Sequence, residues 1–445
     1  MQFTHPAECL ARADVVVVGS GSAGACAAVA AARENVSVLL LERHPFLGGT
    51  STAVLDTFYG FYTPGSESRK VVGGLADDVV AELKCIDKVI ERPNTYGAGL
   101  GITYHPEYLK CVWERLVQES GAHILLNCWV QDVIVRDSRI TGLMVATRKG
   151  LGTIEGRAFV DASGDADLCC WADAPFELAG QNQDAQSLTT TFRMCNVDID
   201  ARRSIDKATF HKLIAAAAER DYSLPRREGS DHITTIKGVL ATNLTRVKSF
   251  ERRAETTVNA VDPFFLSAAE IEGRKQALEY IRFLHDCVPG YEKADLASFS
   301  TQIGIRETRR VIGDYVLTRE DVLNARQFDD QIGLCGAPIE EHGADDTTRW
   351  EYLPDGKCVG IPYRTLLPQK LGNVLVAGRC FSASHDAHAS VRSMAQCMAM
   401  GHAAGIAAAY SVCHRADTRS IPFTALRERL IASQAILELT RGVHS

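Results

Sequence analysis

Apolar residues along the chain follow three rhythms. Short unbroken runs at Asp14–Val18, Ser37–Leu41 and Asn373–Ala377 predict strands buried on both faces, as in a parallel sheet. Alternating stretches at 127–137 and 140–150, with Asp137, Ser138 and Arg139 between them, predict a β-hairpin. A helical period runs through Ser22–Glu34, Val71–Leu83, Pro106–Ser120, 205–221 and 268–286. Met394–Cys413 is low in charge and rich in Ala and Gly, and it contains His402. It reads as a buried helix rather than a membrane span.

Strand and helix patterns alternate near both chain ends. The middle changes character, with a strand pattern at 187–197 and two long helices. The organisation predicts an α/β protein. Residues 1–175 and 364–445 make a Rossmann-like domain with a parallel sheet, helices and the hairpin insert. Residues 176–363 make an inserted α+β substrate or cap domain.

Composition narrows the class. With 445 residues, 46% hydrophobic and 23% charged, the chain is an ordinary globular protein of two or three domains. A net charge of −7 argues against a nucleic-acid partner or an anionic membrane surface. The N-terminal segment shows no secretion signal. The 14 cysteines form no C-x-x-C pair and no finger-like pairing with histidine. Cys169 and Cys170, though vicinal, read as packing. Free thiols point to a reducing, cytoplasmic setting, with no metal site and no dithiol chemistry.

The first strand runs into Gly19, Gly21 and Gly24, a G-x-G-x-x-G spacing. The first glycine permits a tight turn, the second lets backbone approach a pyrophosphate, and the third lets the helix pack on the strand. Ser22 and Ala23 open that helix, whose N-terminal amides face the phosphates. Glu42 follows the second strand, where its carboxylate can accept ribose hydroxyls. Strand, glycines, helix, strand and acid in this order specify a dinucleotide site. The glycines of 96–101 lack that setting and read as a flexible loop. No second fingerprint appears, so a separate NAD(P)H domain is not expected.

After Arg43, Gly48 and Gly49 open a segment with three hydroxyls, Thr50, Ser51 and Thr52, which suits an extended phosphate and ribityl chain. Here the chain resembles the glutathione-reductase-like FAD flavoproteins, and within them the FAD-dependent oxidoreductase family. Three further stretches carry the resemblance: Phe159–Leu168, Gly304–Thr318 and Asn373–Gly405. It implies FAD as cofactor, and contacts from Val130 near the adenine and from Ala162, Ser163, Gly164 and Asp165. It also implies contacts from Gly378 and Arg379, and from Ser390, Val391, Arg392 and Ala395 at the start of a closing helix. The positive end of that helix would face the flavin where charge builds on reduction.

Candidate catalytic groups follow. His385 and His388 fall in the loop before the closing helix, and a histidine there serves as a proton acceptor or orients the loop. Strand alternation puts Arg306 and Arg310 on one face, and Arg309 with Glu307 on the other. The arginine pair either clamps a carboxylate or forms a buried ion-pair network. Arg364 is a further anion-binding candidate. Tyr59, Phe61 and Tyr62 either wall the substrate pocket or pack in the core. The leading function is an FAD-dependent oxidoreductase moving hydride between a small polar substrate, carboxylated or not, and flavin N5. The alternatives are an NAD(P)H-using flavin monooxygenase, a non-catalytic flavin-binding protein and a simple NAD dehydrogenase. The electron acceptor stays unknown, and a homo-oligomer stays open.

Overall fold

The computed structural model describes residues 8–65, 68–94, 99–254, 256–343 and 348–439. A seven-stranded sheet forms the base. Its path runs through His123–Leu125, Val38–Leu41, Glu8–Val18, Gly150–Asp161, Arg139–Thr147 and Trp129–Arg136. Val15–Val18 pair in parallel with Val38–Leu41 on one side and with 158–161 on the other. Both neighbours are apolar and covered, which is why an unbroken valine run is tolerated. Gly150–Asp161 shares its other edge between two partners. Its first half takes the expected hairpin, and Phe159–Asp161 take Val374–Val376 from near the chain's end. The two ends of the chain are thereby joined in one sheet.

Helix Ser22–Arg33 and helix Met394–His414 lie against each other and are buried along nearly their whole length. A Cβ at Gly401 would lie 2.0 Å from the Ala23 carbonyl oxygen, so only glycine permits this approach. The helix before the hairpin starts at Leu75 rather than Val71, because Gly74 turns at φ 67°. Among the described residues no helix is long and apolar enough to cross a membrane. No cluster of three metal-ligating side chains occurs among them.

A second, antiparallel sheet holds Ser230–Ile233, Leu240–Asn243, Phe192–Cys195 and Asp295–Phe299. Phe192, Met194, Phe210, Ile214, Tyr280 and Phe283 form its separate core with helices Lys207–Ala218 and Pro263–Cys287. The fold is therefore a Rossmann-like domain with an inserted α+β domain. The expected change of domain at 363/364 does not coincide with a change of core, since Val311, Leu334, Val359 and Ile361 pack into the larger one. Asp56 links the two parts: its Oδ1 lies 2.7 Å from His232 Nε2, and Arg193 Nε lies 3.5 Å from its Oδ2.

Several local expectations are corrected. Of 187–197 only Phe192–Cys195 is strand. Of 304–318 only Arg309–Val311 is strand, so the alternation invoked for Arg306 does not apply. Residues 96–98 lie outside the described residues, and Leu100 already begins a strand paired with Val89–Pro93. His385–Val391 is a helix rather than a loop, capped by Ser384. The closing helix starts at Met394, not Ser390, because the chain breaks at Arg392 and Ser393 between the two helices.

Candidate functional site

One cavity of about 510 Å³ begins at the first strand's end and runs to the second sheet. Gly19, Gly21, Ser22, Ala23, Glu42, Arg43, Gly49, Thr50, Val130, Ala162, Ser163, Gly164, Gly378, Arg379 and Arg392 all line it. At Gly19, φ is 90° and a Cβ would lie 2.4 Å from the Ala162 carbonyl oxygen. A Cβ at Gly24 would lie 1.8 Å from the Gly19 oxygen, so Gly24 serves the turn from behind and does not line the cavity. Gly21 differs. A Cβ there meets no protein atom within 4 Å, so the backbone faces open cavity. Gly21 also caps its helix with no side-chain bond. An exposed backbone turn and an uncapped helix N-terminus are the donor set that a pyrophosphate requires. The residues present therefore fit a dinucleotide.

Glu42 is fully engaged on one oxygen. Its Oε2 accepts from Ser20 N at 2.9 Å and Ser20 Oγ at 2.6 Å, while Oε1 accepts only from His44 N at 2.8 Å. Oε1 keeps acceptor capacity for a ribose hydroxyl. Ser51 turns away and donates to Gly48 O at 2.7 Å. Asp165 sits outside the cavity, accepting from Arg379 Nη2 at 2.8 Å and Thr308 Oγ1 at 2.6 Å. Burial pushes its carboxyl up, but Arg379 and Thr308 outweigh that and hold it low. Ser390, Val391 and Ala395 do not line the cavity either. Ser390 Oγ donates to Ala337 O at 2.6 Å, Val391 is packed in the core, and Ala395 N donates to Tyr59 O at 3.3 Å.

The catalytic candidates separate. His385 does not reach the cavity: its helix turns Nδ1 to 2.9 Å from Glu307 Oε2. His388 is wholly buried, with Nε2 2.7 Å from Arg379 O, and also lies outside it. Burial holds its imidazole well below the usual range. Arg364 forms a fork with Asp330 at 2.9 and 3.1 Å, away from the site. Arg306 lines the cavity, whereas Arg310 is buried between Glu307 and Glu177, so the two make no clamp.

The far half of the cavity holds groups that the sequence reading passed over: Arg226, Asn243, Glu340, His342 and Trp350, with Tyr59 among its walls. His342 Nε2 lies 2.9 Å from Glu340 Oε1, and its Nδ1 lies 3.1 Å from Thr348 Oγ1. Burial and Arg306 hold His342 well below its usual range, so it is neutral at pH 7. Burial opposes charge on Glu340. The His342 contact and the Arg392 and Arg306 guanidiniums outweigh it and hold the carboxyl at about 2. No motif connects these residues, so no sequence signal points to them.

A sequence model for the FAD dependent oxidoreductase family matches residues 14–430. The chain belongs to this family. FAD is accordingly its cofactor. As an FAD dependent oxidoreductase the chain has curated relatives over part of its length. It is 30% identical over 182 residues to a thiamine thiazole synthase of Methanococcus aeolicus, covering 38% of this chain and 60% of that one. It is 26% identical over 207 residues to digeranylgeranylglycerophospholipid reductase 2 of Methanothermobacter thermautotrophicus, covering 40% and 50%. The chain thus spans about half to three fifths of these relatives' lengths. Among solved structures it is similar to the flavin-dependent brominase Bmp2, with TM-score 0.49, 13% identity and coverage of 95% of this chain and 84% of that one.

Proposed function

We propose that this oxidoreductase is a dehydrogenase or oxidase taking hydride from a small polar substrate. One observation carries the reading. A single cavity joins the dinucleotide cradle to polar side chains of the inserted domain, Asn243, Ser230 and Arg226. Bound FAD supplies the two-electron acceptor. Gly19, Gly21, Ser22, Ala23, Glu42 and Thr50 would hold its adenosine and diphosphate. Ser393 and Met394, at the start of the closing helix, and Arg392 would hold the flavin end. The chain's own work is then to bind and orient the substrate through Arg226 and Arg306. Glu340 supplies a negative charge in the same lining. His385, held by Glu307, and His388, held by the Arg379 carbonyl, support the site from outside the cavity.

Domain roles follow the same line. The inserted sheet supplies the substrate side, and the two chain ends supply the cofactor side. An anaerobic screen of hydroxy acids, amino acids, sugars and unsaturated acids, followed by flavin bleaching, tests the reading. Bleaching by one class, without reduction by NADPH, is expected. Rapid reduction by NADPH points instead to a monooxygenase. No bleaching by any compound removes the dehydrogenase reading.

A further inference from the structure

We infer that the cavity recognises a 2-hydroxy carboxylate, with Arg226 and Arg306 taking the carboxylate and Glu340 accepting from the hydroxyl. The inference rests on the dehydrogenase reading and narrows its substrate.

Arg226 is 4% exposed, and its Nη1 donates to Asn243 O and Oδ1 at 3.2 and 2.8 Å. Its Nε is buried and makes no hydrogen bond. That atom is sealed from the cavity, but Nη2 makes no hydrogen bond among the described residues and is left for a partner the protein does not itself supply. Arg306 makes one bond, from Nη1 to Ser187 O at 2.6 Å, and the rest of its guanidinium has no partner among the described residues. Burial pushes Arg306 well down from its ordinary value, and Arg392 and Arg226 push it further. Like charges have been gathered in a low-dielectric site without an internal counter-ion for each. A ligand anion relieves both the repulsion and the unmatched donors.

Glu340 sets the second half of the pattern. It is ionised, its Oε1 is taken by His342, and its Oε2 accepts no hydrogen bond among the described residues. An ionised carboxylate oxygen only accepts, so it does not pair with a second ionised carboxylate. It faces a donor, which is a hydroxyl or an ammonium. Charge decides between them. In the far half of the cavity Arg226 and Arg306 stand against Glu340, while Glu42, Asp167, Arg43 and Arg379 also line the cavity. A hydroxy acid brings the one negative charge that balances these three groups. A zwitterionic amino acid brings none. A neutral alcohol leaves both arginines unmatched.

The test uses the FAD-loaded protein and probes that lack a hydrogen on the 2-carbon and cannot be oxidised there. These are 2-hydroxyisobutyrate, its methyl analogue pivalate, 2-aminoisobutyrate and 2-hydroxyisobutyramide. Binding is read from the flavin absorbance shift and the thermal midpoint. The hydroxy acid is expected to bind about tenfold or more tightly than pivalate or the amide, as charge-assisted pairs allow. Arg306→Gln abolishes the preference for acid over amide, and Arg306→Lys, which keeps charge but loses the fork, lowers it. Glu340→Gln turns an amide donor toward the ligand and abolishes the preference for hydroxyl over methyl. Flavin content and thermal midpoint near the parent show that each variant is folded. Equal binding of pivalate, equal binding of the amide, tighter binding of 2-aminoisobutyrate, or no saturable binding of the hydroxy acid each overturns the inference. Because the probes do not react, this selectivity can hold even where no compound bleaches the flavin, which separates its failure from that of the dehydrogenase reading.

Discussion

Glu307→Gln probes the support beneath the site. The Glu307 side chain has no exposed surface. Its oxygens lie 3.0 and 2.9 Å from His385 Nδ1, accept Gln186 N at 3.2 Å, and pair with the Arg310 guanidinium. Burial works against its charge, but His385 and Arg310 prevail and hold its carboxyl at about 2. The amide keeps one acceptor and adds N–H groups where His385 and Arg310 already donate. Arg310 then retains Glu177 at 2.6 Å and Ala383 O at 2.9 Å. Breaking a buried pair costs about 3–5 kcal/mol, and the surviving Glu177 contact places this change near 3 kcal/mol. For a chain of 445 residues that lowers Tm by about 3 °C. The sign with pH follows from both partners. Glu307 is depressed, so its contribution is present above its ordinary range and is lost as pH falls from there toward 2. Burial lowers His385, but Glu307 raises it more, so its contribution is present below its ordinary range and is lost as pH rises through its elevated value. The difference in Tm between parent and variant is therefore largest in mildly acidic solution and shrinks on both sides. Thermal scans following flavin release across pH check this. A Glu307→Gln Tm within about 1 °C of the parent in mild acid refutes the reasoning.

Other perturbations separate the cradle from the scaffold. Glu42→Ala releases Ser20 and His44 and is expected to weaken FAD retention at least about tenfold, measured by flavin fluorescence on dilution. Gly24→Ala drives a Cβ into the Gly19 carbonyl and is expected to yield protein without flavin, judged by absorbance after purification. Gly401→Ala pushes the closing helix off Ala23 and costs about 2 kcal/mol or more, measured by chemical denaturation. Asp56→Asn weakens the contacts with His232 and Arg193 that anchor the second sheet; limited proteolysis is expected to cut faster between 187 and 300, and an unchanged rate would count against this role.

The cofactor half was legible because its chemistry is local. Gly19, Gly21, Gly24 and Glu42 lie within one strand-helix-strand unit, and spacing alone fixes their arrangement. Val374–Val376 was legible for a similar reason, since an unbroken apolar run needs a covered position and the sheet edge beside Phe159–Asp161 supplies it. The boundaries that failed depended on contacts between distant segments. Nothing in 304–308 announces that Arg306 leaves the strand to bond Ser187, more than a hundred residues earlier. His385 looked catalytic from its place before the closing helix, but Glu307 captures it from another segment.

The break between the last two helices shows how such distant contacts build the site. Helix His385–Val391 ends, Ser393 restarts the chain, and Arg392 at the junction is left facing the cavity. Its Nη2 donates to Gln186 Oε1 at 2.8 Å, and the Gln186 backbone N donates to Glu307. The buried Glu307–Arg310–His385 cluster thus fixes Gln186, which fixes a cavity guanidinium. Charges outside the cavity thereby hold in register a charge that lines it. This is why a cluster of buried ions, costly in isolation, is retained beneath the site. It also predicts coupling. In a cycle of Glu307→Gln and Arg392→Lys, the combined loss of flavin affinity should fall short of the sum of the single losses, because the first change already frees Arg392. Strict additivity would mean that the Gln186 contact transmits nothing.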